Sequence, residues 1–276
     1  MSKRSILITG CSSGIGLHAA LALKKQGWRV FAAARQAKDV EKLAENGLES
    51  IQLDLNDSES IHRAVQQVLS ATGGTLDALF NNAGLLVAGA IDDISRDLTR
   101  KQFETNVFGP MELIRVILPV MRQQGHGRII QNSSILGVLT LPYYGAYNAS
   151  KFALEGFSRT LYQECRGTNI HISIMNPGPI SSDLRKNAYT IYKDSVAKKS
   201  DSYHQDIYRK LENDYFHKQR GQFLLNGPEA VVKKLNHALT SKHPKLHYFI
   251  GWPAQLLAFM QKILPERLFN WLLSKI

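Results

Sequence analysis

The stretch "SILITGCSSGIG", residues 5–16, sets a short apolar run directly ahead of Gly10, Gly14 and Gly16. A run of this kind favours a strand. The glycines let the backbone turn tightly and approach a pyrophosphate, which would then rest on the free amides and positive end of the following helix. Glycines also serve as plain turns, so their place between a strand and a helix is what carries the reading. The spacing is not G-x-G-x-x-G. The helix is expected to start near Ile15 and to stop at Gly27, a residue suited to a left-handed cap.

Short apolar runs recur along the chain: "WRVFAAA" from Trp28, "ESIQLDL" from Glu49, "LDALFNN" from Leu76, "GRIIQNSS" from Gly127 and "IHISIMNP" from Ile170. Helical patterns lie between them, including 99–122, with Pro110 and Pro119 as kinks, and 146–166. Strands alternating with helices imply a parallel sheet covered on both faces. Right-handed crossovers then leave a doubly wound, Rossmann-type α/β fold as the economical topology. A chain of 276 residues fits one such domain, spanning 1–276.

Residues 179–227 break the rhythm. They show no clear strand but hold Tyr189, Tyr192, Tyr203, Tyr208, Tyr215, Phe216 and Phe223, an aromatic content that argues for a substrate lid with some helix rather than disorder. Residues 254–276 have apolar side chains at helical spacing and are expected to form one amphipathic helix. Its stripe would pack on the core or on a second subunit, or lie flat on a membrane.

The net charge of +11 would suit an anionic partner. In the densest basic run, Arg185 to Arg220, however, the cations alternate with Asp194, Asp201, Asp206, Glu212 and Asp214, which is the pattern of a solvated helix face and not of a nucleic-acid tract. Cys11 and Cys165 are too few for a disulfide framework, and "MSKRSILITG" has too short an apolar run for a signal peptide, so a cytoplasmic setting is expected. No stretch approaches the ~20 apolar residues of a membrane span.

The second apolar run ends at Arg35, about 20 residues beyond the glycines, where an acidic residue would bind the ribose hydroxyls of NAD. A guanidinium suits a 2′-phosphate instead, which points to NADP(H). Otherwise Arg35 is an exposed helix-entry residue, with Asp39 as a ribose ligand.

"TGCSSGIG", "DL" at Asp54 and Leu55, "NNAG" at Asn81–Gly84, Asn106, "NSS" at Asn132–Ser134, "YNASK" at Tyr147–Lys151 and "NPGPI" at Asn176–Ile180 occur in the order and spacing of one family. Together they resemble the short-chain dehydrogenase/reductase superfamily over residues 5–180, and more loosely through "NGPEAVV" at Asn226–Val232. The resemblance implies a catalytic set of Asn106, Ser134, Tyr147 and Lys151. Tyr147 is the proton donor or acceptor, Ser134 binds the reacting oxygen, and Asn106 holds a water near the lysine. It further implies that Gly10, Ser12, Ser13, Gly14, Ile15 and Gly16 hold the pyrophosphate and that Asp54 and Leu55 flank adenine. Asn81, Ala83 and Gly84 would border the nicotinamide ribose, while Pro177, Gly178 and Ile180 would line the nicotinamide, with Ser181 and Ser182 near its carboxamide. Tyr147 and Lys151 also belong to the cofactor-binding set, which requires no metal.

Spacing i to i+4 puts Tyr147 and Lys151 on one helix face. A free phenol has a pKa of about 10, and adjacent positive charge lowers it. Tyr143 and Tyr144 lack a lysine at that spacing and are read as pocket or core residues.

Leu86, Val87, Leu136, Val138, Tyr144 and the aromatic insert would form an apolar pocket, suiting an apolar carbonyl compound or alcohol. The overall look is similar to aldehyde reductases and to retinol and 17β-hydroxysteroid dehydrogenases of the superfamily. The expected activity is NADPH-dependent reduction of an aldehyde or ketone, or its reverse, in a homodimer or homotetramer. The alternatives are an NAD-linked alcohol or steroid dehydrogenase and a non-catalytic NADP(H)-sensing protein.

Overall fold

Ser5–Ile8 forms β1 with all four side chains buried, as a strand covered by helices on both faces requires. The computed structural model describes residues 3–212 and 225–274. β1 is joined by β2 (Arg29–Ala34), β3 (Glu49–Gln52), β4 (Ala78–Asn81), β5 (Gly127–Asn132), β6 (Ile170–Pro177) and β7 (His247–Ile250). All pair in parallel, in the order β3-β2-β1-β4-β5-β6-β7. The order reverses between β1 and β4. In doubly wound sheets a ligand binds at that point, outside the carboxyl ends of the strands.

Strand alternation divides the core into two layers. Ile6, Ile8 and Ala32 face α1 (Gly14–Lys25) and α9 (Pro228–Thr240), packing with Ala19, Leu23 and Leu235. Leu7, Phe31, Leu79 and Ile129 face the other way, onto Ile61 and Val65 of α3 (Ser58–Thr72) and Leu113 and Ile117 of α5 (Gly109–Gln124). The remaining helix between strands of the first half is α2 (Ala37–Glu45). α6 (Gly145–Glu164) belongs to the second layer through Leu161, while Tyr147, Lys151, Leu154, Glu155 and Ser158 are buried along its inner side.

The helix expected over 99–122 is three pieces. α4 (Arg96–Phe103) starts three residues early because Ser95 Oγ caps the amide of Leu98 at 3.2 Å. A π-helical turn follows over Glu104–Phe108 and leads into α5. Phe108 and Gly109 are already helical, so Pro110 withdraws an amide from a continuing helix and crowds the turn that precedes it. The break therefore falls ahead of the proline, in a π turn of the type that collects at functional sites. Pro119 is carried within α5.

The 179–227 insert contains α7 (Leu184–Asp194), a 3₁₀ turn (Val196–Lys198) and α8 (Gln205–Leu211), and the Ile180–Asn226 bridge joins its ends. Of its described aromatic residues, none joins the cluster around Tyr147. Tyr192 and Tyr208 form a separate cluster with Ala90 and Val196, flanked by Tyr143 and Tyr189, and Tyr203 is exposed. Leu184 and Ala188 reach the Tyr147 cluster instead. Tyr215, Phe216 and Phe223 lie outside the described residues.

The tail is two helices, α10 (Trp252–Ile263) and α11 (Glu266–Leu273). Pro265 divides them by holding Leu264 extended at ψ 141°. α10 turns the small Ala254 and Ala258 inward and exposes Trp252, Leu256, Phe259 and Ile263 along one stripe. Lys275 and Ile276 lie outside the described residues. Among the described residues, no helix is long and apolar enough to cross a membrane.

Candidate active site

The glycine loop leaves the carboxyl end of β1 at the sheet's reversal point. Gly10 has φ +70°, and a Cβ there would stand 2.7 Å from Ala83 Cα. A side chain on Gly16 would overlap the Gly10 carbonyl and come within 2.6 Å of Asn82 Nδ2. The loop is thus packed tightly against the end of β4. Ser13 opens α1 in extended conformation without a side-chain cap, and the first turn has no acidic residue. Uncapped amides at a helix start favour an anion. The donor chemistry of this cradle fits a dinucleotide pyrophosphate.

Sequence reading missed two residues that hold the loop. Thr9 Oγ1 accepts from the amides of Asn82 and Ala83 at 3.0 and 2.9 Å, and Asn82 Nδ2 donates to the carbonyls of Thr9 and Gly10 at 2.9 and 3.2 Å. Asn132 Nδ2 donates in turn to Asn82 Oδ1 at 3.0 Å. The signal was present in "TG" and "NNAG", but nothing local shows that residues 73 positions apart share hydrogen bonds between side chain and backbone.

The "NPGPI" segment crosses over the same loop. The Gly178 amide donates to Ile250 O at 2.9 Å, Ile180 is buried, and a Cβ on Gly14 would meet Ser182 Cβ at 3.1 Å. Arg35 is exposed just beyond β2, and its carbonyl accepts from Gln52 Nε2 at 3.1 Å. Asp54 Oδ1 accepts from the Asn56 amide at 3.0 Å. Leu55 is buried in the layer containing Ile61 and Leu113, so any contact with adenine there falls to Asp54 and the backbone. The Asn81 side chain is buried too, its Nδ2 3.5 Å from Pro110 O.

Lys151 is the buried cation of the site. Its Nζ donates to Asn132 O at 2.7 Å and lies 5.7 Å from the centroid of the Tyr147 ring. Burial pushes Lys151 down to about 8, with Glu155 one turn along α6 acting in the opposite direction. Gly84 lies close by, so that a Cβ on it would stand 3.7 Å from Asn106 Oδ1 and 3.8 Å from Lys151 Nζ. Asn106, in the π turn, accepts from the Leu85 amide at 2.7 Å and donates to Leu85 O at 2.9 Å and Ser150 Oγ at 3.0 Å. Its side chain thereby fixes the chain beside Lys151. Ser134 is buried two residues beyond Asn132, and its Oγ accepts from the Leu136 amide at 3.1 Å.

Around Tyr147 lies an apolar cluster containing Leu86, Ala88, Ile135, Leu136, Leu139 and Ala188, with Val138, Tyr144 and Leu184 partly buried against it. Val87 is not part of it. That side chain is fully buried, and its amide donates to Gln102 Oε1 at 2.8 Å. Tyr143 turns away as well. At φ 65° it is the only non-glycine in the left-handed region among the described residues, and its ring meets those of His204 and Tyr208 edge-on. A cleft of about 410 Å³ between Val138–Thr140 and α10–α11 touches none of Asn106, Ser134, Tyr147 and Lys151. Tyr147 and Lys151 thus stand together beside this apolar cluster, with Asn106 and Lys151 both close to Gly84.

The short chain dehydrogenase family model matches residues 4–192. The uncharacterized oxidoreductase YbbO of Escherichia coli K12 is 38% identical over 272 residues, covering 99% of this chain and 94% of that one. A short-chain dehydrogenase structure from Streptomyces avermitilis superposes with a TM-score of 0.75 at 28% identity, covering 95% of this chain and 96% of the other. The structure of actinorhodin polyketide ketoreductase with NADPH gives a TM-score of 0.71 at 26% identity, covering 87% and 91%.

Proposed function

The chain belongs to the short-chain dehydrogenase/reductase superfamily, and from that premise we propose that it is an NADPH-dependent reductase of apolar aldehydes or ketones. The observation that carries this reading is the buried Lys151 beside the Tyr147 ring, held at the carboxyl end of β5 by the Asn132 carbonyl.

The free amides of Ser12 to Gly16 would hold the pyrophosphate, Arg35 the 2′-phosphate, the backbone at Ala83 and Gly84 the nicotinamide ribose, and Pro177 to Ile180 the nicotinamide. When bound, the dinucleotide supplies the hydride. The protein's own part is orientation and proton transfer. Ser134 Oγ and the Tyr147 hydroxyl would bind the carbonyl oxygen, and Tyr147 would give it a proton as negative charge develops there. The Lys151 ammonium stabilises the phenolate left behind. Asn106 fixes the Leu85 backbone on the far side of the lysine and would hold the water through which the proton is replaced. Leu86, Leu136, Val138 and Tyr144 would receive the apolar part of the substrate and exclude bulk water.

An NADPH absorbance assay over a panel of apolar aldehydes and ketones tests this reading. Turnover of at least one class is expected. Tight NADPH binding without turnover across the panel would favour the cofactor-sensing alternative.

The same reading takes the protein as a homodimer or homotetramer, to be measured by light scattering. The outward stripe of α10 would then meet either a second subunit or a membrane surface, and its exposed Trp252, Leu256, Phe259 and Ile263 suit both. Co-sedimentation with anionic vesicles, lost on truncation after Gly251, is the result expected of a membrane contact.

A further inference from the structure

Glu155 lies four residues after Lys151 on the buried side of α6, with its side chain only 4% exposed. A carboxylate so deeply buried is costly unless paired. Asn176 Nδ2 donates to Glu155 Oε1 at 2.5 Å and to the Ser134 carbonyl at 3.1 Å. These two acceptors settle the amide's orientation, so that Asn176 Oδ1 accepts from His247 Nδ1 at 3.1 Å. Arg159 stands 3.5 Å from Glu155 Oε2. His247 Nδ1 is 3.7 Å from that same oxygen, yet burial, Arg159 and Lys262 outweigh the carboxylate and push His247 down to about 4. The imidazole is therefore a neutral donor near pH 7. The catalytic assignment above leaves this network unexplained.

We propose that Glu155 is a positioning residue for the proton-transfer pair: its carboxylate is the counter-charge to Lys151 and, through Asn176, it fixes the backbone that presents Ser134. The inference rests on the assignment of Tyr147 and Lys151. The charged groups around Glu155 are Lys151, one turn earlier on the buried side of α6, Arg159 on the same helix and, across from them, His247 on β7, itself faced by Lys262 of α10. Its other neighbours are neutral: the Asn176 amide on β6 and the Ser133 hydroxyl just past β5. Burial raises the Glu155 carboxyl, while donation from Asn176 and the charge of Arg159 act to keep it ionised.

Removing a negative charge lowers the pKa of every group near it, so both apparent pKa values of the Tyr147–Lys151 pair should fall together. Glu155→Gln removes the charge and keeps an acceptor for Asn176. The titration of Lys151 is read by NMR on apoprotein carrying ¹³C at lysine Cε, assigned from Lys151→Met. The expected result is a midpoint lower by roughly half a pH unit or more in Glu155→Gln. A matching shift is expected in the pH profile of decanal reduction by NADPH. An unmoved midpoint overturns the proposal, as does a fall in kcat that is equal at every pH, which a merely structural role would give.

Should Glu155→Gln fail to fold, Glu155→Asp carries the test. Its charge is retained, so the midpoint must stay at the wild-type value, while the shorter side chain weakens the hold on Asn176 and raises KM. A lowered midpoint there overturns the proposal. Tyr147→Phe, assayed alongside, separates the two levels. If it retains turnover, the catalytic assignment falls on its own, and the Lys151 midpoint still decides the counter-charge.

Discussion

Lys151 Nζ lies 5.7 Å from the centroid of the Tyr147 ring, and the two residues are separated by one turn of α6. The lysine is almost wholly buried and donates to the carbonyl of Asn132. The fold thus places a cation beside a phenol in a region of low dielectric, where its influence on the phenol is large.

The first prediction concerns stability. Burial lowers Lys151 from 10.5 to about 8. A group whose folded pKa is depressed contributes fully above its unfolded pKa, and that contribution is lost as pH falls through the folded value. Between about 8 and 10.5 the unfolded chain holds a proton that the folded chain does not, so stability rises with pH across that window. Lys151→Met should therefore melt above wild type at pH 7, by at most on the order of 3 kcal/mol. The difference should shrink as pH rises past 8. Thermal melts at a series of pH values check both. Activity is expected to be lost in the same variant.

Arg35 is exposed at the end of β2, where a 2′-phosphate would sit. Arg35→Asp should move the ratio of kcat/KM for NADPH over NADH toward NADH by roughly 10- to 100-fold, the loss of one charge-assisted, forked contact. An unchanged ratio would remove the basis for NADPH.

Gly10 combines a positive φ with a close approach to Ala83. Gly10→Ala should cost about 1–3 kcal/mol in stability and weaken dinucleotide binding. Denaturant melts and fluorescence titration with NADPH measure the two effects. Gly27 also has positive φ, but a Cβ there meets nothing within 4 Å. Gly27→Ala should lower stability by about 1 kcal/mol and leave cofactor affinity unchanged.

Much of this fold was legible in the sequence. Continuous apolar runs at helical intervals can be buried only in a parallel, doubly covered sheet, and the glycines at 10, 14 and 16 located its first strand–helix turn. Strand β7 was not foreseen. "HYFI" is four residues long and half-buried at His247 and Phe249, so its pattern does not separate it from the loops around it. The irregularity between α4 and α5 was legible from Pro110, which cannot donate to the turn before it, whereas the close approach of Gly109, where a Cβ would stand only 2.5 Å from Leu55 O, was not. The expected set of Asn106, Ser134, Tyr147 and Lys151 rests on motif alone. The supports contributed by Thr9, Asn82, Asn176 and His247 depend on contacts between distant strands, and no local pattern records them. Nor does the count of aromatic residues in the insert say where each packs: among those described, Tyr192 and Tyr208 cluster with Ala90 and Val196.

The most direct test of the account is Tyr147→Phe, assayed for NADPH oxidation with an aldehyde that wild type reduces. The account predicts NADPH binding as in wild type, measured by fluorescence, with kcat lower by roughly 10²- to 10⁴-fold, the usual contribution of a positioned general acid. A kcat within a few-fold of wild type would contradict it.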